Sequence, residues 1–161
     1  AIHKFVSIKK KPYLGLCLGA QLLSEAAGGK VRKMKTPEIG VLEVSVKNNE
    51  SLFKGIEKNL KVLQWHSYEA HDLPNNTNLL ASSSSCKIQA FSLENAFGLQ
   101  FHVEQTNETV PQWACVPEYK SALEKTLGPN ALEKFRKEVE VNLKIFNGSA
   151  RTIYDNFKKT I

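Results

Sequence analysis

The feature that most constrains this chain is an abrupt change of pattern around Cys17. Residues Pro12 to Leu16 form a short apolar run, which is typical of a strand buried on both faces. From Leu18 the apolar residues recur with helical spacing, and Gly28-Gly29 supplies a stop signal. A strand that passes at once into a helix requires a sharp turn, and the sequence predicts that turn at Cys17.

The turn carries a possible nucleophile. Cys17 lies between Gly15 and Gly19, in the G-x-nucleophile-x-G form of a nucleophile elbow, where glycines avoid side-chain collisions. The start of a helix presents unpaired N–H groups and the positive end of the helix dipole, and both favour a thiolate. The N–H of Leu18 is predicted to stabilise an oxyanion. On this motif alone, a core cysteine packed beside two glycines remains an alternative.

A histidine and a carboxylate follow a second apolar strand. Phe97 to Phe101 is predicted to be that strand; His102 ends it and Glu104 lies two positions further on. Side chains two apart on an extended segment project to the same side, so Glu104 can orient the imidazole. A base and its orienting group are what a thiol nucleophile requires. We therefore predict a catalytic triad of Cys17, His102 and Glu104.

The rest of the chain has mixed α and β patterns. We predict one domain over residues 1–161, with a helical tail over about 118–161 that breaks at Gly128-Pro129 and Asn147-Gly148 into three helices. Short strands are predicted before it, at Ile39 to Val46, Val62 to Trp65, Leu79 to Ala81 and Ile88 to Phe91.

The net charge of +6 raises the question of a nucleic-acid partner. The excess lies in one stretch: residues 1–36 contain eight basic residues and one acid, whereas the remainder contains fourteen basic and fifteen acidic residues. That stretch lacks the interleaved glycines and aromatic residues of surfaces that bind bases. A solvated face, or one balanced by acids elsewhere, is favoured over nucleic acid.

The three cysteines are far apart and form no C-x-x-C pair, so neither zinc nor a redox dithiol is indicated. No cofactor or metal is expected for a thiol mechanism of this kind. No apolar run approaches the roughly 20 residues of a membrane-spanning helix. The default prediction is a reducing, cytoplasmic location.

The segment Pro12 to Leu23 closely resembles the nucleophile segment of class I glutamine amidotransferases. Trp65 to Pro74, Gln89 to Phe91 and Gly98 to Glu104 are similar to later motifs of the branch that includes the amidotransferase domain of GMP synthase. The resemblance covers about residues 10–160. It implies a flavodoxin-like, three-layer α/β sandwich with a mostly parallel central sheet.

The resemblance also implies an activity. The Cys17 thiolate would attack the side-chain amide of glutamine, ammonia would leave, and water would cleave the γ-glutamyl thioester to glutamate. The substrate would lie near Gly15, Gly19 and Gln21 and near the backbone at His66-Ser67, and a separate synthetase chain could accept the ammonia. Two duller interpretations stay open: Gln21 as a solvent-facing helix residue and His66 as a structural histidine.

The sequence departs from the family in two places. Val103 stands where relatives commonly have proline, which changes stiffness but no reactive group. Relatives also place strands and helices before the lysine-rich start, so we expect that N-terminal βα units, on the order of 60–80 residues, are missing here. Residues 1–161 alone are therefore expected to be poorly soluble and nearly inactive. A γ-glutamyl hydrolase or peptidase with the same triad, and a regulatory chain that keeps the fold without catalysis, are the alternative functions.

Overall fold

The computed structural model describes residues 1–47 and 51–160. The strands in this part of the chain are β1 (Tyr13–Leu16), β2 (Lys30–Val46), β3 (Asn59–His71), β4 (Asn78–Ser82), β5 (Ala90–Leu93) and β6 (Ala96–Leu99). The α-helices are α1 (Leu18–Ala26), α2 (Thr109–Ala114), α3 (Pro117–Leu127) and α4 (Ala131–Lys158). A π-helical segment over Lys4–Ile8 and a 3-10 turn over Ser51–Phe53 complete the regular structure.

The strands form one sheet in the order β1-β6-β5-β4-β2-β3. The pair β1–β6 is parallel, with Leu16 opposite Leu99, and the other pairings between described strands are antiparallel. The α/β class is confirmed, whereas the expectation of a mostly parallel sheet holds only at β1–β6. The reason is connectivity: the two residues between β5 and β6 can join only antiparallel neighbours, because a parallel pair needs a long crossover.

Helices cover both faces of the sheet, as the alternation along β6 shows. Phe97 and Leu99 belong to the same buried cluster as Ile153 of α4. The opposite face packs on α1, since a Cβ added at Gly98 would lie 3.1 Å from the Cβ of Ala20. Successive strand residues point to opposite faces, so β6 is covered on both. This is the three-layer arrangement that the sequence predicts.

The C-terminal helices differ from the prediction at one break. The chain breaks at Gly128, whose φ is 83°, but the break predicted at Asn147-Gly148 is wrong because α4 runs through it. A glycine inside a helix costs about 1 kcal/mol relative to alanine. Burying a side chain such as Phe146 or Ile153 contributes about 1.5–3 kcal/mol, which outweighs that cost. Helix α2 was not predicted, and residue 161 of the predicted tail lies outside the described residues.

The basic N-terminal stretch is partly neutralised by acids from the rest of the chain. Its lysine-rich part is the first half of β2, which pairs with the end of β3 so that Lys30 lies opposite His71. Ion pairs join members of the stretch to later acids: Lys10 to Glu94, Lys30 to Asp72 and Arg32 to Glu69. These contacts fit a solvated face. In the described residues, no helix combines the length and apolar character needed to cross a membrane.

Candidate active site

Cys17 occupies a strained turn between a strand and a helix. Strand β1 ends at Leu16, α1 begins at Leu18, and the cysteine between them has φ 47° and ψ −105°. Its N–H donates to the carbonyl of Leu99 at 2.7 Å, and its own carbonyl accepts from the N–H of Ala20 at 3.0 Å. A positive φ at a residue other than glycine costs about 1–3 kcal/mol, so the surrounding bonds must hold the turn in place.

The glycines beside this turn have unequal roles. A Cβ at Gly15 would lie 2.5 Å from the carbonyl group of Gly19, so only glycine fits at position 15. A Cβ at Gly19 would meet the Tyr13 hydroxyl at 3.4 Å, an ordinary contact. That hydroxyl donates to the Gly19 carbonyl at 3.0 Å. The close approach at Gly15 is therefore needed to build the turn.

His102 is held by its backbone and by its ring. Its N–H and carbonyl form a pair of 2.9 Å hydrogen bonds with the backbone of Leu63 on β3. The ring packs edge-on against Trp113 of α2, with 4.8 Å between centroids. Nδ1 lies 2.5 Å from Oε1 of Glu104, and Oε2 of that carboxylate accepts from the N–H of Val103. The ring is therefore fixed on one side, and its other nitrogen remains for Cys17.

The charges of these groups favour one another. Burial alone lowers the pKa of His102, but hydrogen bonds and charges from Cys17 and Glu104 outweigh it and raise that pKa to about 9. Burial would raise the pKa of Glu104, yet the hydrogen bond and charge of His102 lower it. The arrangement stabilises an imidazolium between a carboxylate and a sulfur anion. That is the charge distribution of an activated thiol.

Two glutamine side chains continue the site away from His102. Nε2 of Gln100 lies 3.6 Å from the sulfur of Cys17, and Gln100 is 2% exposed. Nε2 of Gln21 donates to Oε1 of Gln100 at 3.1 Å and to the carbonyl of Tyr68 at 2.9 Å. Sequence reasoning selected Gln21 but missed Gln100. The signal was available, because positions 100 and 102 are two apart at the end of one strand and share a side.

The remaining predicted residues lie on β3. The His66 ring is buried: Nδ1–H donates to the carbonyl of Tyr68 at 2.8 Å, and Nε2 lies 2.9 Å from a carboxylate oxygen of Glu38. Its side chain is thus engaged inside the protein, and only backbone near it reaches Gln21. Ser67 is half-buried and lines a cavity with Lys33 and Lys125. The described residues contain no cluster of side chains that could hold a metal ion.

The comparison with protein families decides the class. A family model described as glutamine amidotransferase class-I matches residues 1–112. The chain belongs to this family. Its nucleophile-elbow segment and the strand that carries His102 both lie within the matched class I region.

Two archaeal relatives of this class I amidotransferase are named as glutamine-hydrolysing subunits of GMP synthase. The chain is 38% identical over 95 residues to the subunit of Pyrococcus abyssi, and the match covers 58% of this chain and 50% of the relative. The corresponding subunit of Saccharolobus solfataricus is 35% identical over 102 residues, with 62% and 54% covered. The chain spans about half the length of these relatives.

The fold agrees with solved members of the class. The crystal structure of a glutamine amidotransferase from Thermotoga maritima superposes with a TM-score of 0.85 at 29% identity. That match covers 97% of this chain and 66% of the other. The arrangement of sheet and helices is therefore that of a class I glutamine amidotransferase.

Proposed function

We propose that the protein hydrolyses the side-chain amide of glutamine, with Cys17 as nucleophile, His102 as acid and base, and Glu104 as the orienting carboxylate. The observation that carries this proposal is the hydrogen-bonded sequence of Glu104, His102 and Cys17, in which both neighbours raise the pKa of the imidazole. The strained turn at Cys17 supports it. Membership of the class I family gives the substrate class.

The chemistry balances with these groups alone. The Cys17 sulfur bonds to the amide carbon, the C–N bond breaks, and ammonia leaves with a proton from His102. Water then adds to the γ-glutamyl thioester as His102 takes a proton from it, and glutamate leaves with the sulfur restored. Leu18 is the first residue of α1, where an N–H has no helical acceptor, and we propose that it stabilises the oxyanion.

We place the amino-acid end of glutamine near Gln21 and the turn formed by Gly15 and Gly19. Both N–H bonds of Gln21 are directed at protein oxygens, on Tyr68 and Gln100, so its own carbonyl oxygen is left to accept from the substrate ammonium. The role proposed for His66-Ser67 is one of backbone, since the His66 ring is turned toward Glu38.

Ammonia release from glutamine by the full-length protein tests the proposal. Wild type should release ammonia and Cys17→Ala should not, while Cys115→Ser, which removes an exposed cysteine, should match wild type. An electrophilic glutamine analogue such as acivicin should label Cys17. Wild type that cleaves γ-glutamyl dipeptides but not glutamine, or a Cys17→Ala variant as active as wild type, would overturn it.

The ammonia acceptor is proposed to be a separate synthetase chain. The support is that the two archaeal relatives are named as single subunits of glutamine-hydrolysing GMP synthases. Glutaminase rates of the full-length protein should rise when the synthetase chain from the same organism is added. An unchanged rate, with no complex detected by sedimentation, would contradict this assignment.

A further inference from the structure

Gln100 lies between the nucleophile and the glutamine that we assign to the substrate. Its side chain is almost fully buried and touches both Cys17 and Gln21. Its backbone N–H donates to the carbonyl of Gln89 at 2.8 Å, which fixes the base of the side chain. A polar side chain buried at this depth needs partners, and here both ends of the amide have one.

The orientation of the Gln100 amide follows from its neighbours. The carbonyl of Tyr68 can only accept, so Gln21 must present its N–H group to it. The same nitrogen then faces Gln100, which must offer its carbonyl oxygen in return. The remaining end of Gln100, an N–H donor, is consequently the one directed at the Cys17 sulfur. This order of donors starts from a backbone carbonyl, which has a fixed role.

We infer that Gln100 takes part in the reaction in two ways: its N–H stabilises the sulfur anion of Cys17, and its carbonyl positions Gln21 for the substrate. This inference rests on the proposed glutaminase function. The sulfur is otherwise approached by the His102 ring, so Gln100 supplies a second donor that does not titrate. When the thioester forms, the sulfur loses its charge and the Gln100 contact weakens, which favours return to the anion.

Alkylation of Cys17 by iodoacetamide tests the sulfur contact directly. The full-length protein carries Cys115→Ser in every variant, because Cys115 is exposed; Cys86 is buried, and burial raises its pKa to about 12. Gln100→Met keeps the length of the side chain and removes both amide groups. We expect it to slow alkylation at near-neutral pH about tenfold, the loss of one hydrogen bond to a charged group.

Two matched variants separate the sulfur contact from general effects. Gln64→Met removes an equally buried glutamine that donates to Gln89, and Gln21→Met removes the neighbour on the substrate side. Neither residue touches the sulfur, so both should alkylate within about twofold of the parent. In the ammonia assay, Gln21→Met should raise KM, whereas Gln100→Met should raise KM and also lower kcat.

A folded Gln100→Met protein that alkylates at the parent rate overturns the inference, because a merely structural glutamine would alter only the melting temperature. If this variant does not fold, Gln100→Glu answers the same question: it keeps an acceptor for Gln21 but removes the donor to Cys17. Alkylation should again fall, and an unchanged or faster rate overturns the inference. Alkylation needs no turnover, so a wild type without glutaminase activity would refute the proposed function and leave this result interpretable.

Discussion

Two histidine–glutamate pairs lie in this one fold, and they differ in what the second ring nitrogen meets. In His102–Glu104 one nitrogen meets the carboxylate and the other is left for Cys17. In His66–Glu38 both nitrogens are bonded to fixed oxygens, those of Glu38 and of the Tyr68 carbonyl. The same two residue types are therefore a reactive pair at one place and a structural pair at the other.

The pairs also differ in how far they are enclosed. The side chains of His66 and Glu38 are 2% and 4% exposed, whereas Glu104 is 40% exposed. Glu38 has further donors: the hydroxyl of Ser83 at 2.9 Å and the amide of Gln89 at 2.7 Å. A buried charge needs such a full set of partners, because removing one leaves an uncompensated ion. Reactivity thus depends on an open ring nitrogen, and stability on its absence.

His102→Asn should produce the largest effect, and it should be on activity. Without the ring, no group beside Cys17 can donate to departing ammonia or accept from water, so glutaminase kcat should fall about 10²–10⁴-fold. Urea unfolding should show a retained native state. The matched control is His71→Asn, which removes a histidine from the surface pair with Asp72 and should leave activity unchanged. Near-normal turnover by folded His102→Asn would remove the distinction between the two pairs.

His66→Asn should show the opposite pattern, with the loss in folding stability. The substitution leaves the Glu38 carboxylate buried without its cationic neighbour, which should lower the free energy of unfolding by about 3–5 kcal/mol. Denaturant titration measures the loss, and alkylation of Cys17 in the folded fraction should stay close to wild type. A stable His66→Asn protein with abolished glutaminase activity would mean that the roles of the two pairs had been exchanged.

The two pairs should fail on opposite sides of neutral pH. The folded-state pKa of His102 is raised from 6.5 to about 9, so its contribution is complete below 6.5 and is lost as the pH rises to about 9. That loss should be on the order of 2 kcal/mol. The pKa of Glu38 moves the other way: burial would raise it, but hydrogen bonds from His66, Ser83 and Gln89 lower it below 4.5. Its contribution is present above 4.5 and is lost as the pH falls through the folded-state value.

Melting temperatures of wild type and His102→Asn across this range would separate the two contributions. The alkaline decline should shrink in His102→Asn, while the acid decline should remain because Glu38 is untouched. An alkaline decline of equal size in both proteins would show that His102 does not cause it.

The sequence allows the triad to be predicted because its information is local. A cysteine in a glycine-flanked turn and a histidine two positions before a glutamate are short-range patterns, and the strand and helix around Cys17 follow from adjacent runs. Gln100 was within reach for the same reason. It was missed because a neutral amide has no reactive group to mark it.

The Glu38–His66 pair could not be predicted, because its two residues meet through the register of two long strands. Glu38 lies directly opposite His66 only after a register shift between Lys33 and Glu38. Periodicity within β2 or β3 does not specify that shift, which depends on tertiary packing. The continuity of α4 through Gly148 has a similar origin, since burial at Phe146 overrides a local helix-breaking signal.

Ser83→Ala gives the smallest effect and the finest test of how the structural pair is held. It removes one donor to Glu38 while His66 and Gln89 still contact the carboxylate, so the charge stays paired and the loss should be about 1.5 kcal/mol. Ser84→Ala, at the exposed neighbouring position, is the control and should be near neutral. Because the serine acts on the charge, the loss should shrink when Glu38→Gln is already present. An equal loss in both backgrounds would mean that Ser83 contributes through packing alone, and Glu38 would then depend on fewer partners than its geometry implies.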